Sequence, residues 1–177
     1  RAGKNASLIS NQMDFCSVSG VLSPVSGRPR EIVLGVKRKA SGGLDIKLGG
    51  RALSSVTDLL GVIPVQGLNA DSFQLLSGEP AIRRRYLDWG VFHVEQAFFP
   101  AWRQFQRCLK QRNSLLKSGT MRASELDSWT EELAGLGETV SALRHAYFLR
   151  LAQYFIDVLS RIAPDITGLE AEFFPGW

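Results

Sequence analysis

Ten residues, Leu126, Trp129, Leu133, Leu136, Val140, Leu143, Tyr147, Leu151, Tyr154 and Val158, recur at steps of three and four until Pro164. That rhythm belongs to a helix, because 3.6 residues per turn return such positions to one face. At about 1.5 Å per residue the helix is on the order of 55 Å long. An apolar stripe of that length needs a long partner, which predicts an antiparallel helical hairpin with a coiled-coil-like seam. Aromatic residues on the seam are then core and not a cofactor box. The partner stands just upstream: Phe98, Trp102, Phe105, Leu109 and Leu116 follow steps of four, three, four and seven. They line a helix that begins near Pro100, a residue tolerated in a first turn. Arg112 interrupts this second stripe, Ser118-Gly119-Thr120 closes the helix, and Ser124 with Asp127 forms a capping pair for the longer one.

Upstream of the hairpin the period is two. Phe15-Cys16-Ser17-Val18-Ser19-Gly20-Val21, then Arg30-Glu31-Ile32-Val33-Leu34-Gly35-Val36 after Gly27-Arg28-Pro29, then Leu44-Asp45-Ile46-Lys47-Leu48 after Ser41-Gly42-Gly43 read as three strands of an antiparallel meander. Gly49-Gly50-Arg51 ends the third strand. Residues 54–61 form a capped helical turn or two, and Val62-Ile63-Pro64-Val65 resumes an extended run that enters the interior. Residues 68–80 read as loop, and Leu169 to Phe174 alternate again, as a strand rejoining the sheet. The expected division is residues 1–88 for a β-rich part, 89–165 for the helical hairpin lobe, and 166–177 for the returning strand. Arg1 in place of Met, and a strand-like end at Trp177, suggest a piece of a longer protein.

The net charge of +4 hides a sorted distribution: +3 over residues 1–82, +7 over 83–122 and −6 over 123–177. The basic block either attracts phosphate backbones through counterion release or pairs as a solvated face with the acidic helix after it. Arg103, Lys110 and Lys117 stand one position after Trp102, Leu109 and Leu116, and Arg107 two after Phe105, which gathers the four into a basic strip. No apolar run reaches the roughly 18 residues of a spanning helix, and no signal-peptide pattern is present, so a soluble cytoplasmic protein is expected. Cys16 and Cys108 make no metal-ligand spacing. Gly3-Lys4-Asn5 lacks the preceding glycine and the hydroxyl of a phosphate loop, no G-x-S-x-G or H-E-x-x-H occurs, and His93 and His145 have no metal-ligating neighbours. No self-contained active site or metal site is expected.

Two runs carry a family resemblance. Gly78-Glu79-Pro80-Ala81-Ile82-Arg83-Arg84-Arg85-Tyr86-Leu87-Asp88 resembles a G-x-P-x-x-R-R-x-[FY]-L-D element, and Leu109-Lys110-Gln111-Arg112-Asn113-Ser114-Leu115-Leu116-Lys117 resembles L-K-Q-R-N-x-L-L-[KR]. Both elements, in this order and at this separation, resemble those of the RecF family of bacterial DNA replication and repair proteins. Asp88-Trp89-Gly90-Val91-Phe92-His93 between them resembles its gammaproteobacterial branch.

The resemblance implies an α+β fold: part of an ATPase head of the ATP-binding-cassette type, carrying an antiparallel meander, with an inserted long helical hairpin lobe. It implies a protein that binds ATP with magnesium, dimerises around the nucleotide, and binds single- and double-stranded DNA. With RecO and RecR such a protein assists the loading of RecA at gaps. The Walker A loop would lie before Arg1 and the signature and Walker B segments beyond Trp177, so this chain by itself is expected to bind no nucleotide. Gln66 lies about where a cassette ATPase places the glutamine near the magnesium and attacking water; the competing reading is an ordinary loop residue. Among Arg83, Arg84 and Arg85, one is expected to pair with Asp88 or Asp71 and lock the junction between the lobes. Arg112 and Asn113 invade an apolar stripe and are expected to anchor the hairpin to the head. The resemblance makes Arg103, Arg107, Lys110 and Lys117 the candidate DNA surface. Phe92, Phe98 and Phe99 could stack on bases, but core packing is the favoured reading. A non-enzymatic helical-hairpin module that binds a protein partner is the alternative, and it gains if the basic strip faces the acidic helix.

Overall fold

The computed structural model describes residues 8–23, 31–118 and 123–175. Gly3-Lys4-Asn5, the Gly27-Arg28-Pro29 turn with Arg30, Gly119-Thr120 and Gly176-Trp177 lie outside them. The chain divides into two compact units, residues 1–66 and 67–177. The division falls earlier than the expected boundary at 88, because the segment carrying the arginine triplet is helical and packs with the hairpin.

The first unit is a four-stranded antiparallel meander: β1 (Phe15–Leu22), β2 (Ile32–Lys39), β3 (Leu44–Leu48) and β4 (Arg51–Leu53), in that order across the sheet. Val18 faces Val36 and Val36 faces Ile46, so β-branched side chains form a row across three strands. The fourth strand was not expected. Gly49 and Gly50 take φ of 56° and 82°, a pair of left-handed residues that reverses β3 into β4 in two steps. The capped helical turns are present as α1 (Val56–Val62), where Ser55 and Asp58 exchange backbone and side-chain hydrogen bonds. The run after it is a correction. Residues 63–68 form no strand, and Val65 and Leu68 are exposed, because Pro64 donates no ladder hydrogen bond.

The second unit is helical. A 3₁₀ turn (Ala70–Phe73) and α2 (Gln74–Ser77) lead into α3 (Pro80–Val94), α4 (Phe98–Ser118) and α5 (Ala123–Ile162). The expected loop therefore gives way to α3 at Pro80, the first helical position, where proline loses nothing by having no N–H. Pro100 likewise lies in the first turn of α4. Ser124 is already helical, inside the first turn of α5 and not at its cap position.

α4 and α5 run antiparallel: Phe98 shares a core with Val140, Cys108 reaches the Trp129 carbonyl, and Arg112 reaches Thr130. The core is Val91, Phe98 and Val140, surrounded by Leu87, Phe92, Ala101, Trp102, Phe105, Leu143 and Tyr147. Phe92 and Phe98 are thus core residues, and Phe99 meets Phe92 edge-on and stacks on Trp102. The seam stops short of its sequence length. Tyr154 is 72% and Ile162 76% exposed, since α4 at 21 residues covers only part of the 40-residue α5.

The expected strand at Leu169–Phe174 is also a correction. Residues 166–175 form no strand; instead Phe173 folds back on α5, stacked on His145 at 5.2 Å and tilted against Phe148 at 5.6 Å. Burying one aromatic ring there satisfies the alternating pattern without a sheet.

Candidate nucleic-acid interface

α3 is fixed to α5 by polar contacts at three levels. Asp88 accepts two hydrogen bonds from Arg144, Nε to Oδ1 at 2.6 Å and a second guanidinium nitrogen to Oδ2 at 2.9 Å. This side-on fork is the stronger geometry for an arginine–carboxylate pair, and both groups are largely out of solvent. Two residues on, Gly90 lies against the Tyr147 hydroxyl and ring so closely that a Cβ would occupy their space. Burial pushes the Tyr147 phenol above its ordinary range, with Tyr86 adding to the effect. At the end of α3, Glu95 accepts from Arg150 at 2.7 Å.

These contacts correct two expectations. Asp88 pairs with Arg144, 56 residues away, and with none of the triplet, because α5 crosses α3 there and presents a better-placed guanidinium. Of the triplet, Arg83 turns back to donate to the Gly78 carbonyl at 2.8 Å and the Leu75 carbonyl at 3.4 Å. It closes the end of α2 within the helical unit, where the last carbonyls lack helical partners. Arg84 and Arg85 are exposed and make no hydrogen bond or ion pair among the described residues.

The second element is corrected in the same way. Arg112 is half-buried and donates Nε–H to the Thr130 hydroxyl at 3.1 Å, so it joins α4 to α5 within one unit. Asn113 is exposed, which removes the burial cost that the sequence pattern suggested.

Arg103, Arg107, Lys110 and Lys117 are all exposed on α4. Arg103 also lies over the Phe99 ring, 5.7 Å from its centroid. The ion pairs among the described residues are Lys39–Asp45, Arg144–Asp88 and Arg150–Glu95, so no acid of α5 neutralises the strip. Lys110 and Lys117 border an open groove of about 610 Å³, shared with Gln106, Leu109, Asn113 and Ser114. Gln106 and Ser114 were not singled out from the sequence. The signal for both was present, since each lies four residues from Lys110 and so on its face of the helix. Cations interleaved with amides and a hydroxyl on a rigid helix are suited to phosphate and sugar oxygens.

Gln66 is exposed in the irregular stretch after α1. Among the described residues there is no group of three or more His, Cys, Asp or Glu that could hold a metal ion. His93 lies edge-on to Trp89 and Phe92, its Nε2 is buried without a hydrogen-bond partner among the described residues, and burial lowers its pKa. Burial raises the Cys108 thiol, with Glu132 adding to the effect. No helix among the described residues is long and apolar enough to cross a membrane.

No protein-family model matches the chain. Comparison with curated proteins decides the question. The chain is 39% identical over all 177 of its residues to the DNA replication and repair protein RecF of Marinomonas sp., covering 47% of that protein. It is 36% identical over 177 residues, again 47% of the relative, to the RecF of Pseudomonas syringae pv. syringae. With the RecF of Chromohalobacter salexigens it shares 42% over 154 residues, 86% of this chain and 42% of that one. Along its whole length the chain is similar to RecF. It spans about half the length of the curated RecF relatives it matches. The fold agrees: a solved structure of the recombination mediator protein RecF of the RecFOR pathway, in its ATP form, aligns with a TM-score of 0.73 over 92% of this chain and 44% of that one, at 24% identity. The ATPrS form aligns equally well. The α+β reading, a meander followed by a helical hairpin, is therefore the RecF arrangement.

Proposed function

We propose that this chain is part of an ATP-dependent DNA-binding protein of replication and recombinational repair, which binds single- and double-stranded DNA and helps load recombinase at gaps. The similarity to RecF suggests the process, and the observation that carries the site is the row of four exposed cations on α4 with no acidic partner among the described residues. In this reading Arg103, Arg107, Lys110 and Lys117 hold backbone phosphates, with Gln106, Asn113 and Ser114 available to sugar and phosphate oxygens. Such contacts fix position on the nucleic acid without reading bases. RecR and RecO are the proposed protein partners, RecA an indirect one, and the complete protein dimerises on ATP and magnesium. Gln66 is the residue proposed to approach nucleotide in that complete protein. The 177 residues alone are proposed to turn over no ATP, and measurable turnover by them would overturn that part.

The decisive experiment is a fluorescence-anisotropy titration of labelled duplex and single-stranded oligonucleotides at several salt concentrations. Lys110→Glu with Lys117→Glu is expected to weaken binding at least tenfold. It is also expected to reduce the slope of log K against log[salt] by close to two, at roughly 0.9 per lost duplex phosphate contact. Unchanged affinity removes the strip as the site. The alternative, a non-enzymatic helical-hairpin module that binds a protein partner, gains if the strip faces the acidic helix, and among the described residues the acids of α5 make no ion pair with it.

A further inference from the structure

The basic element of α3 has a role left over. On the surface of a helix an acid three or four residues away can balance an arginine. α3 contains three arginines, and the acids that follow them are Asp88 within the helix and Glu95 at its end. Both are engaged by arginines of α5: Arg144 forks onto Asp88 and Arg150 holds Glu95. Asp88 is the i+4 neighbour of Arg84, so the fold removes the one carboxylate that local geometry would have offered it. Arg83 is held by two carbonyls. What remains is two adjacent guanidinium groups, exposed on a helix anchored by a bidentate ion pair and without an ion-pair partner among the described residues.

We infer that Arg84 and Arg85 form a second phosphate contact for nucleic acid, on a different helix from the α4 strip. The inference rests on the nucleic-acid reading above and deepens it. Guanidinium groups match the geometry of a phosphate with two parallel hydrogen bonds, which a lysine does not offer. An acidic protein surface would also neutralise two arginines. Nucleic acid is favoured because the same compact unit presents four more unpaired cations on α4, and a continuous polyanion can engage both helices. Two separated points of contact also fix the direction of a backbone across a rigid body, which one straight strip leaves free to slide.

The test compares Arg84→Glu with Arg85→Glu, Lys110→Glu with Lys117→Glu, and the conservative Arg84→Lys with Arg85→Lys, using a labelled 30-mer duplex and its single strand. A thermal melt within about 2 °C of the parent establishes folding, which is expected because both arginines are exposed and make no hydrogen bond or ion pair among the described residues. The inference predicts at least tenfold weaker binding for the α3 reversal, a salt slope reduced by nearly two, and an intermediate loss for the lysine pair. Weakening by the α4 reversal alone overturns the α3 contact and leaves the α4 strip standing. Weakening by the α3 reversal alone supports the contact and overturns the strip. Affinity unchanged in every variant overturns both, and transfers Arg84 and Arg85 to an acidic protein partner.

Discussion

The sheet unit and the helical unit hold themselves together in different ways. Among the described residues of the sheet unit only Ile46 is a buried apolar residue, whereas the helical unit buries Val91, Phe98, Cys108 and Val140. The meander has regular pairing through eight consecutive residues of β1 and β2, yet Phe15, Val18, Val21 and Val33 remain exposed. Its order comes from backbone hydrogen bonds, cross-strand side-chain pairs and the tight turn at Gly49-Gly50, with no second layer among its elements except the short α1. A helical hairpin carries its own second layer, because each stripe is the other's partner. Pairing alone gives a sheet its register, but side-chain burial gives a unit its stability.

That contrast can be broken most severely at the α3–α5 crossing. Gly90→Leu would force a side chain into the Tyr147 ring, and about 3 kcal/mol or more of the helical unit's stability should be lost, read as a lower melting temperature. Asp88→Ala leaves Arg144 unpaired in a site only 15–20% exposed and should cost about 2 kcal/mol, measured by chemical denaturation. Val140→Ala removes two methyl groups from the core and should cost about 2 kcal/mol through lost burial and the residual cavity. A change below about 0.5 kcal/mol would show that the hairpin is not held by this core.

The helical unit should also be the pH-sensitive one. His93 is lowered by burial from its ordinary 6.5, so below that value the unfolded chain takes up its proton before the folded chain does. Stability therefore declines as pH falls from 6.5 through the depressed folded value. His93→Phe should flatten a plot of melting temperature against pH in that range, and a parallel shift of the whole plot would exclude His93 as its source. The smallest effect belongs to the sheet. Val18→Ala, the same change as in the core but at a side chain 73% exposed, should alter stability by less than about 0.5 kcal/mol. A larger loss by the same denaturation would mean that the face of β1 is covered in solution.

Much of this was legible in the residues. The repeat from Leu126 to Tyr147 predicts a helix whose stripe is covered, and each of its positions is at least half-buried. The three expected strands exist within two or three residues of their predicted ends. The two family elements point to the family of the curated relatives. What escaped was short or ambiguous. β4 has three residues, too few to display a period, and α3 hides its apolar face behind Gly78, Pro80 and three consecutive arginines. Leu169 to Phe174 alternates as a strand does, yet one aromatic ring against His145 uses the pattern differently. At the site, the basic strip was visible as spacing, but the condition that leaves it unpaired was not, because that depends on where the acids of α5 point.

The residues alone determined the local geometry and the family resemblance, since helix and strand periods act over a few positions and motif order is written along the chain. Only the tertiary structure decided the charge partners. Asp88 meets Arg144 across 56 residues and Glu95 meets Arg150 across 55, so the acids of α3 are neutralised from another helix and its arginines are left to face solvent. Coulomb attraction falls with distance in space and takes no account of distance in sequence, and packing alone sets the former.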